Sequence, residues 1–243
     1  MPSIDSQSFG RLHWVAVAAF GLFLLGLMLV YPFVLDPLHA SFGTRGLAGL
    51  GLLASVASLP IARSIRSSQR VGKAPVLTLA VPLLMILAGV FQSITLLELV
   101  PAWVHLCVGL YFLESSRGQD AAMVQVVRWL VPEAPDFVVP YCRRLTALWG
   151  FFFVASACVS AGFAWWGTRE AWRLFTGPGV CGLMALFTCA EFLVRKTWFR
   201  YYFHGGPFDR VWSRLFPAEA TSQGRRSLEA IRQYRESGAG PNA

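Results

Sequence analysis

Charge is scarce in this chain: 14% of its 243 residues are Asp, Glu, Lys or Arg, against 55% that are hydrophobic. With a mean hydropathy of +0.52, too little polar surface remains to clothe a soluble globule, which excludes that class. Motifs that carry chemistry are missing as well. There is no Walker sequence, Rossmann glycine pattern, nucleophile elbow or H-E-x-x-H. The cysteines, Cys107, Cys142, Cys158, Cys181 and Cys189, stand in no C-x-x-C or metal-like spacing. All but Cys142 fall inside apolar runs, where a thiol serves as a small apolar side chain. The sequence predicts no disulfide, no metal site and no cofactor.

What is abundant is apolar sequence in long runs. A bilayer-crossing helix needs roughly 20 mainly apolar residues, because about 30 Å of hydrocarbon is crossed at 1.5 Å per residue. Six runs meet that need, at about residues 14–35, 46–62, 75–91, 94–113, 145–166 and 175–194. The expected fold is all-α: a polytopic, six-span transmembrane bundle over residues 1–200, followed by a basic tail over 201–243. The first run is framed by Trp14 and Tyr31, aromatics suited to headgroup regions, and offers no small-x-small cleavage site after it. The second is rich in Gly46, Gly49, Gly51 and Ala54, small residues that let backbones approach closely and predict central packing. Pro82 and Pro101 predict kinks in the third and fourth.

Cations then set orientation. All of the 21 lysines and arginines except Arg45, Arg169 and Arg173 lie in the N-terminal stub, two of the connectors or the tail. Cationic loops are hard to translocate, so these segments belong to the cytoplasm. An even number of spans puts them all on one side, with both termini inside. The expected location is the bacterial inner membrane. The net charge of +8 fits adhesion to an anionic inner leaflet, where each surface cation contributes about 1 kcal/mol, and calls for no nucleic acid. The same basic face, carried by Arg128, Arg143, Arg144, Arg210, Arg214, Arg225 and Arg226, is complementary to an acidic protein such as an acyl carrier protein.

Two cytoplasmic stretches are amphipathic. Over about 120–131, Met123, Val124, Val127, Leu130 and Val131 recur at helical spacing. In the tail, Phe208, Val211, Trp212, Leu215 and Phe216 form an aromatic face beside Arg210 and Arg214. Both read as helices lying on the inner leaflet, or equally as covers for the cytoplasmic end of the bundle itself. A polar helix is expected over about Ser222 to Glu236, with a disordered end after Gly238.

Ionisable groups inside spans are default functional candidates, since charge in hydrocarbon is costly. Glu98 and His105, two helical turns apart, share a face of the fourth span, where Gln92 and Thr95 extend a polar seam suited to a proton or substrate path. Glu191 precedes Arg195 by one turn, the spacing of a structural ion pair. In the tail, His204 and Asp209 fit an H-x-x-x-x-D pattern like that of glycerolipid acyltransferases, in which the acid orients a histidine base. Here barely a folded domain's beginning follows Asp209, and Pro207 suits the start of a helix, so the match reads as chance.

Several short segments resemble one bacterial inner-membrane family: Tyr31-Pro32, Leu99-Val100-Pro101-Ala102-Trp103-Val104, Phe112-Leu113-Glu114-Ser115, Tyr141-Cys142-Arg143-Arg144-Leu145-Thr146 and Glu191-Phe192-Leu193-Val194-Arg195-Lys196. That family is encoded beside acyl carrier proteins, ketosynthases, dehydratases and acyl ligases in aryl-polyene and related fatty-acid-like gene clusters. The resemblance spans about residues 15 to 200. It departs at position 105, often Asn in the family, and in the longer tail. It implies a non-enzymatic accessory or anchoring component of an acyl-carrier-dependent pathway. A transporter or flippase of a lipid-like product is the alternative, and a membrane acyltransferase using His204 and Asp209 a third reading.

Overall fold

A computed structural model describes residues 26, 29–54, 74–118, 120–130, 138–198, 211 and 214–236. Side chains at 74–80, 129, 130, 198, 218, 223, 230, 231, 234 and 235 lie outside that description. Among the described residues the chain is helical and contains no strand. In order come α1 (29–54), α2 (Ala74–Phe91), α3 (Ile94–Ser115), α4 (Ala122–Leu130), α5 (Val139–Trp166), α6 (Arg169–Leu174), a π-helical turn (Phe175–Gly179), α7 (Val180–Trp198) and α8 (Ser222–Glu236).

Three of these runs are long and apolar enough to cross a membrane: Ile94–Ser115, Val139–Trp166 and Arg169–Thr197. At 1.5 Å per residue, the 22 residues of α3 reach about 33 Å, the thickness of a hydrocarbon core. Outward faces are apolar too. Phe151 and Leu186 on two of these helices, and Val90 and Phe91 on α2, are each more than 60% exposed, an arrangement that water penalises and lipid does not. Val81–Phe91 is a shorter apolar stretch.

Helix boundaries depart from the hydropathy pattern in three informative places. Helical residues run without pause from 29 to 54, joining the end of the first expected span to the start of the second. Gly43 within that run has φ +65°, which a continuous right-handed helix does not admit, so α1 is two helical segments that meet at this glycine. Second, α5 begins at Val139, about a turn and a half before the apolar stretch expected from 145. Pro140 sits in its first turn, where the missing N–H has no helical partner to lose, and the polar residues through Arg144 continue the helix beyond its apolar part. Third, the expected sixth span gains α6 at its front, joined through the π turn. Pro178 offers no N–H there, and the wider turn lets Val180 N–H reach back to Phe175 O.

The chain forms two compact units: Met1–Ala122 with Arg144–Cys181, and Met123–Arg143 with Gly182–Ala243. The core of the first gathers Leu35, Leu47, Met85, Ala88, Leu97 and Trp172, with Tyr31, Val100 and Phe163 packed against it. Close helix approach in this unit comes from glycine. A Cβ on Gly109 would lie 2.9 Å from Val154 N, and one on Gly150 would lie 3.0 Å from Leu113 N, so α3 and α5 cross backbone to backbone there. In the glycine-rich second run, by contrast, Leu47 and Ala48 are buried while Gly49 and Leu50 are exposed.

In the second unit Tyr141 Oη donates to Glu191 Oε1 at 3.0 Å, and Arg195 Nε reaches the same oxygen at 3.0 Å. The spacing of Glu191 and Arg195 is thus realised as an ion pair, with Arg195 also 5.6 Å above the Phe192 ring. In α4, Val124 is 2% exposed, so protein covers that point of the stripe. Val211, Leu215 and Phe216 of the tail are exposed. Thr221 caps α8, its Oγ1 accepting from Gly224 N at 3.0 Å.

Candidate functional site

Proline is where the site begins. Pro101 sits inside α3 and has no N–H to donate to the carbonyl of Leu97, four residues before it. Tyr31 Oη of α1 donates to that carbonyl instead, at 2.8 Å. One residue further, the carbonyl of Glu98 accepts from Trp172 Nε1 of α6 at 3.1 Å. Trp172 is 1% exposed, and its own carbonyl accepts from Thr176 Oγ1 at 2.6 Å. Two side chains from distant segments are therefore fastened to consecutive carbonyls beside the helix's proline.

Trp172 can reach inward because α6 is locally well specified. Thr168 N-caps it, accepting from Ala171 N at 3.2 Å, and Glu170 lies in the first turn, favourable to the helix dipole. The same short helix carries Arg169 and Arg173 one turn apart. Arg169 is the bridge of an ion network: its Nη1 lies 3.0 Å from Asp36 Oδ1, while Nη2 and Nε lie 2.8 and 3.0 Å from Glu98 Oε1. Arg173 pairs with the other oxygen of Asp36. Glu98 has a side chain 10% exposed, against 41% for Arg169 and 28% for Asp36. Burial of the carboxylate this deeply requires its partner.

Two acids and two cations balance, and the guanidinium forks are donors only. The network has the chemistry of a clasp between α1, α3 and α6: it holds charge in place and presents no nucleophile. Among the described residues no group of three or more His, Cys, Asp or Glu side chains is placed to hold a metal ion.

Arg45, the third arginine outside the strongly basic segments, behaves differently. Its partner is neutral: with the Gln92 amide turned so that its oxygen faces the guanidinium, Arg45 Nη2 and Nε donate to it at 2.6 and 3.3 Å. Gln92 has φ 49°, a left-handed value that ends α2, and Ser93 N closes the turn on Ala88 O at 3.2 Å.

The polar seam expected along α3 takes another form. Glu98 is 7% exposed and held by Arg169, and Gln92 faces Arg45. His105 is 2% exposed; its ring stacks on Phe153 with centroids 6.0 Å apart, and its Nδ1 has no hydrogen-bond partner among the described residues. Of the basic residues singled out in sequence, Arg128, Arg143, Arg144, Arg214, Arg225 and Arg226 are all exposed, and Arg225 Nη1 donates to Glu219 O at 3.2 Å. His204, Asp209 and Arg210 lie outside the described residues.

Sequence reasoning passed over Asp36, Arg169, Arg173 and Trp172. A signal existed for the arginines: they are the exceptions to the cation pattern, and cations where the pattern disfavours them invite a search for acids at neighbouring span ends. Nothing comparable marked Trp172, which sits in a segment that reads as a connector.

Helical throughout its described residues, with three helices long and apolar enough to cross a membrane, the chain has the character of a membrane protein. No family model, no curated protein and no solved structure matches the chain.

Proposed function

We propose that this chain is a multi-pass protein of the bacterial inner membrane that serves, without catalysing a reaction itself, as an accessory or anchoring component of an acyl-carrier-protein-dependent lipid or polyene pathway. The observation that carries the reading is the sorting of arginines. Those of α6 are turned onto carboxylates, whereas Arg128, Arg143, Arg144, Arg225 and Arg226 stand exposed. On six spans with both termini in the cytoplasm, these exposed arginines lie at the cytoplasmic face and the clasp of α6 at the opposite one. A protein presenting exposed cations to the cytoplasm attracts acidic partners by electrostatic complementarity, and acyl carrier proteins are acidic. The family resemblance of residues 15 to 200 supplies the pathway.

A transport role drew its motive from a seam joining Glu98 to His105. Glu98 is engaged by Arg169, so the remaining motive for transport is the prolines of the third and fourth spans, Pro82 and Pro101.

The test is direct binding. The full chain, held in nanodiscs of zwitterionic lipid, is titrated with acyl carrier protein from the same cell at low salt. Saturable binding that weakens as salt rises is expected, together with a loss of roughly tenfold or more when Arg143, Arg144, Arg225 and Arg226 are all changed to Glu. Binding no greater than to empty nanodiscs contradicts the proposal.

A further inference from the structure

A groove of about 470 Å³ opens between the second half of α1 and the end of α2. Arg45 and Gln92 mark one end, since their side chains meet there. Leu52 and Met85 mark the other, about 10 Å along the helix axis at 1.5 Å per residue. Between them Ile86 and Val90 make the walls apolar. Two glycines shape the interior in different ways. A Cβ on Gly89 would lie 3.1 Å from Ala48 Cβ, so Gly89 lets the helices approach, whereas a Cβ on Gly49 would meet nothing within 4 Å, so the groove is open at that point.

Two independent features describe what fits. The groove is open, largely apolar and of a size typical of small-molecule sites, roughly 300–1,000 Å³. Its end carries an arginine with no carboxylate partner among the described residues, in contrast to Arg169 and Arg173, whose charges are met within the protein. A guanidinium with its fork half used by a neutral amide retains donors suited to phosphate. We infer that this groove is a lipid site, taking one acyl chain of an anionic glycerophospholipid along Gly49 and Val90 and seating its phosphate on Arg45.

This inference is independent of the pathway proposed above, because it rests on charge and shape within one unit of the protein. Native mass spectrometry of the full chain in detergent, with phosphatidylglycerol or phosphatidylcholine of identical acyl chains, tests it. The parent protein is expected to retain one phosphatidylglycerol with about a tenfold preference over phosphatidylcholine, whose phosphate is the same but whose quaternary ammonium competes with Arg45 for it and is repelled by it. Arg45→Gln brings that preference to near parity. Gly49→Leu, which grows into open space and leaves the helix sound, removes retention of both lipids. Inorganic phosphate leaves retention unchanged, because the acyl chain contributes much of the affinity.

Equal retention by the parent, Arg45→Gln and Gly49→Leu proteins identifies ordinary annular lipid and overturns the inference. Displacement by inorganic phosphate alone overturns it equally. Thermal unfolding of both variants at the parent temperature is the accompanying check. Should Gly49→Leu unfold early, Gly49→Val is used with the same expected loss.

Discussion

Two sets of arginines in this chain meet opposite fates. Arg169 and Arg173 sit one turn apart on a six-residue helix and are absorbed into a clasp with Asp36 and Glu98. Arg225 and Arg226, adjacent on a polar helix, are exposed, as are Arg143 and Arg144 at the start of α5. Residue type is the same in both sets, so the difference lies in what the neighbouring backbone makes available. Around α6 a proline in α3 leaves a carbonyl for another segment to use, a buried tryptophan pulls the helix inward, and carboxylates wait within α1 and near the start of α3. On α8, Arg232 pairs with Glu236 one turn on, while Arg225 and Arg226 are exposed and face solvent, lipid or a partner. The first set is structural by this account and the second is for recognition.

The strongest way to break the comparison is to remove what draws α6 inward. Trp172→Ala deletes the largest fully buried side chain among the described residues and its hydrogen bond to Glu98 O. Losses of about 3–5 kcal/mol are usual for buried tryptophan, and unfolding by SDS titration in mixed micelles reads the effect. A loss below 1 kcal/mol would mean that the core does not depend on α6.

Next in size are the charges. Glu98→Gln and Arg169→Gln should each cost about 2 kcal/mol, less than the roughly 3–5 kcal/mol of a fully buried pair, since Arg169 is 41% exposed. The double variant should cost much less than the sum, because each single change already breaks the contact. Additive losses would show that the two residues act separately. The matching experiment on the other set, Arg225→Gln with Arg226→Gln, is expected to change stability by no more than about 0.5 kcal/mol while weakening binding of an acidic partner.

A smaller effect sharpens the role of proline. Tyr31→Phe removes one hydrogen bond, to Leu97 O, at a cost of about 1 kcal/mol. In a Pro101→Ala background the restored N–H competes for that carbonyl, so the cost of Tyr31→Phe should shrink to about half or less. An unchanged cost would remove proline from the explanation.

How much of this was legible beforehand follows from what a one-dimensional pattern contains. The turn between α2 and α3 was visible, because the apolar run breaks at Gln92 and Ser93, and α8 was visible from its polar composition. Glu98 stood out as an acid in an apolar run, and the i to i+4 spacing exposed Glu191 with Arg195. The partner of Glu98 was not legible. Arg169 is 71 residues away, and only the fold of α6 onto α3 brings them together. Trp172 was hidden for a related reason: hydropathy marks what faces lipid, and α6 is held by protein. The merging of helical segments at Gly43 was likewise invisible, since a left-handed glycine preserves the polar interruption that reads as a loop.

The division of the arginines across a membrane is tested most directly by labelling single introduced cysteines in intact cells with a membrane-impermeant maleimide, scored against the parent chain. Glu170→Cys on α6 and Gln233→Cys on α8 are both exposed positions. The account predicts labelling of the first from outside and of the second only after the membrane is permeabilised. Labelling of both from the same side would contradict it.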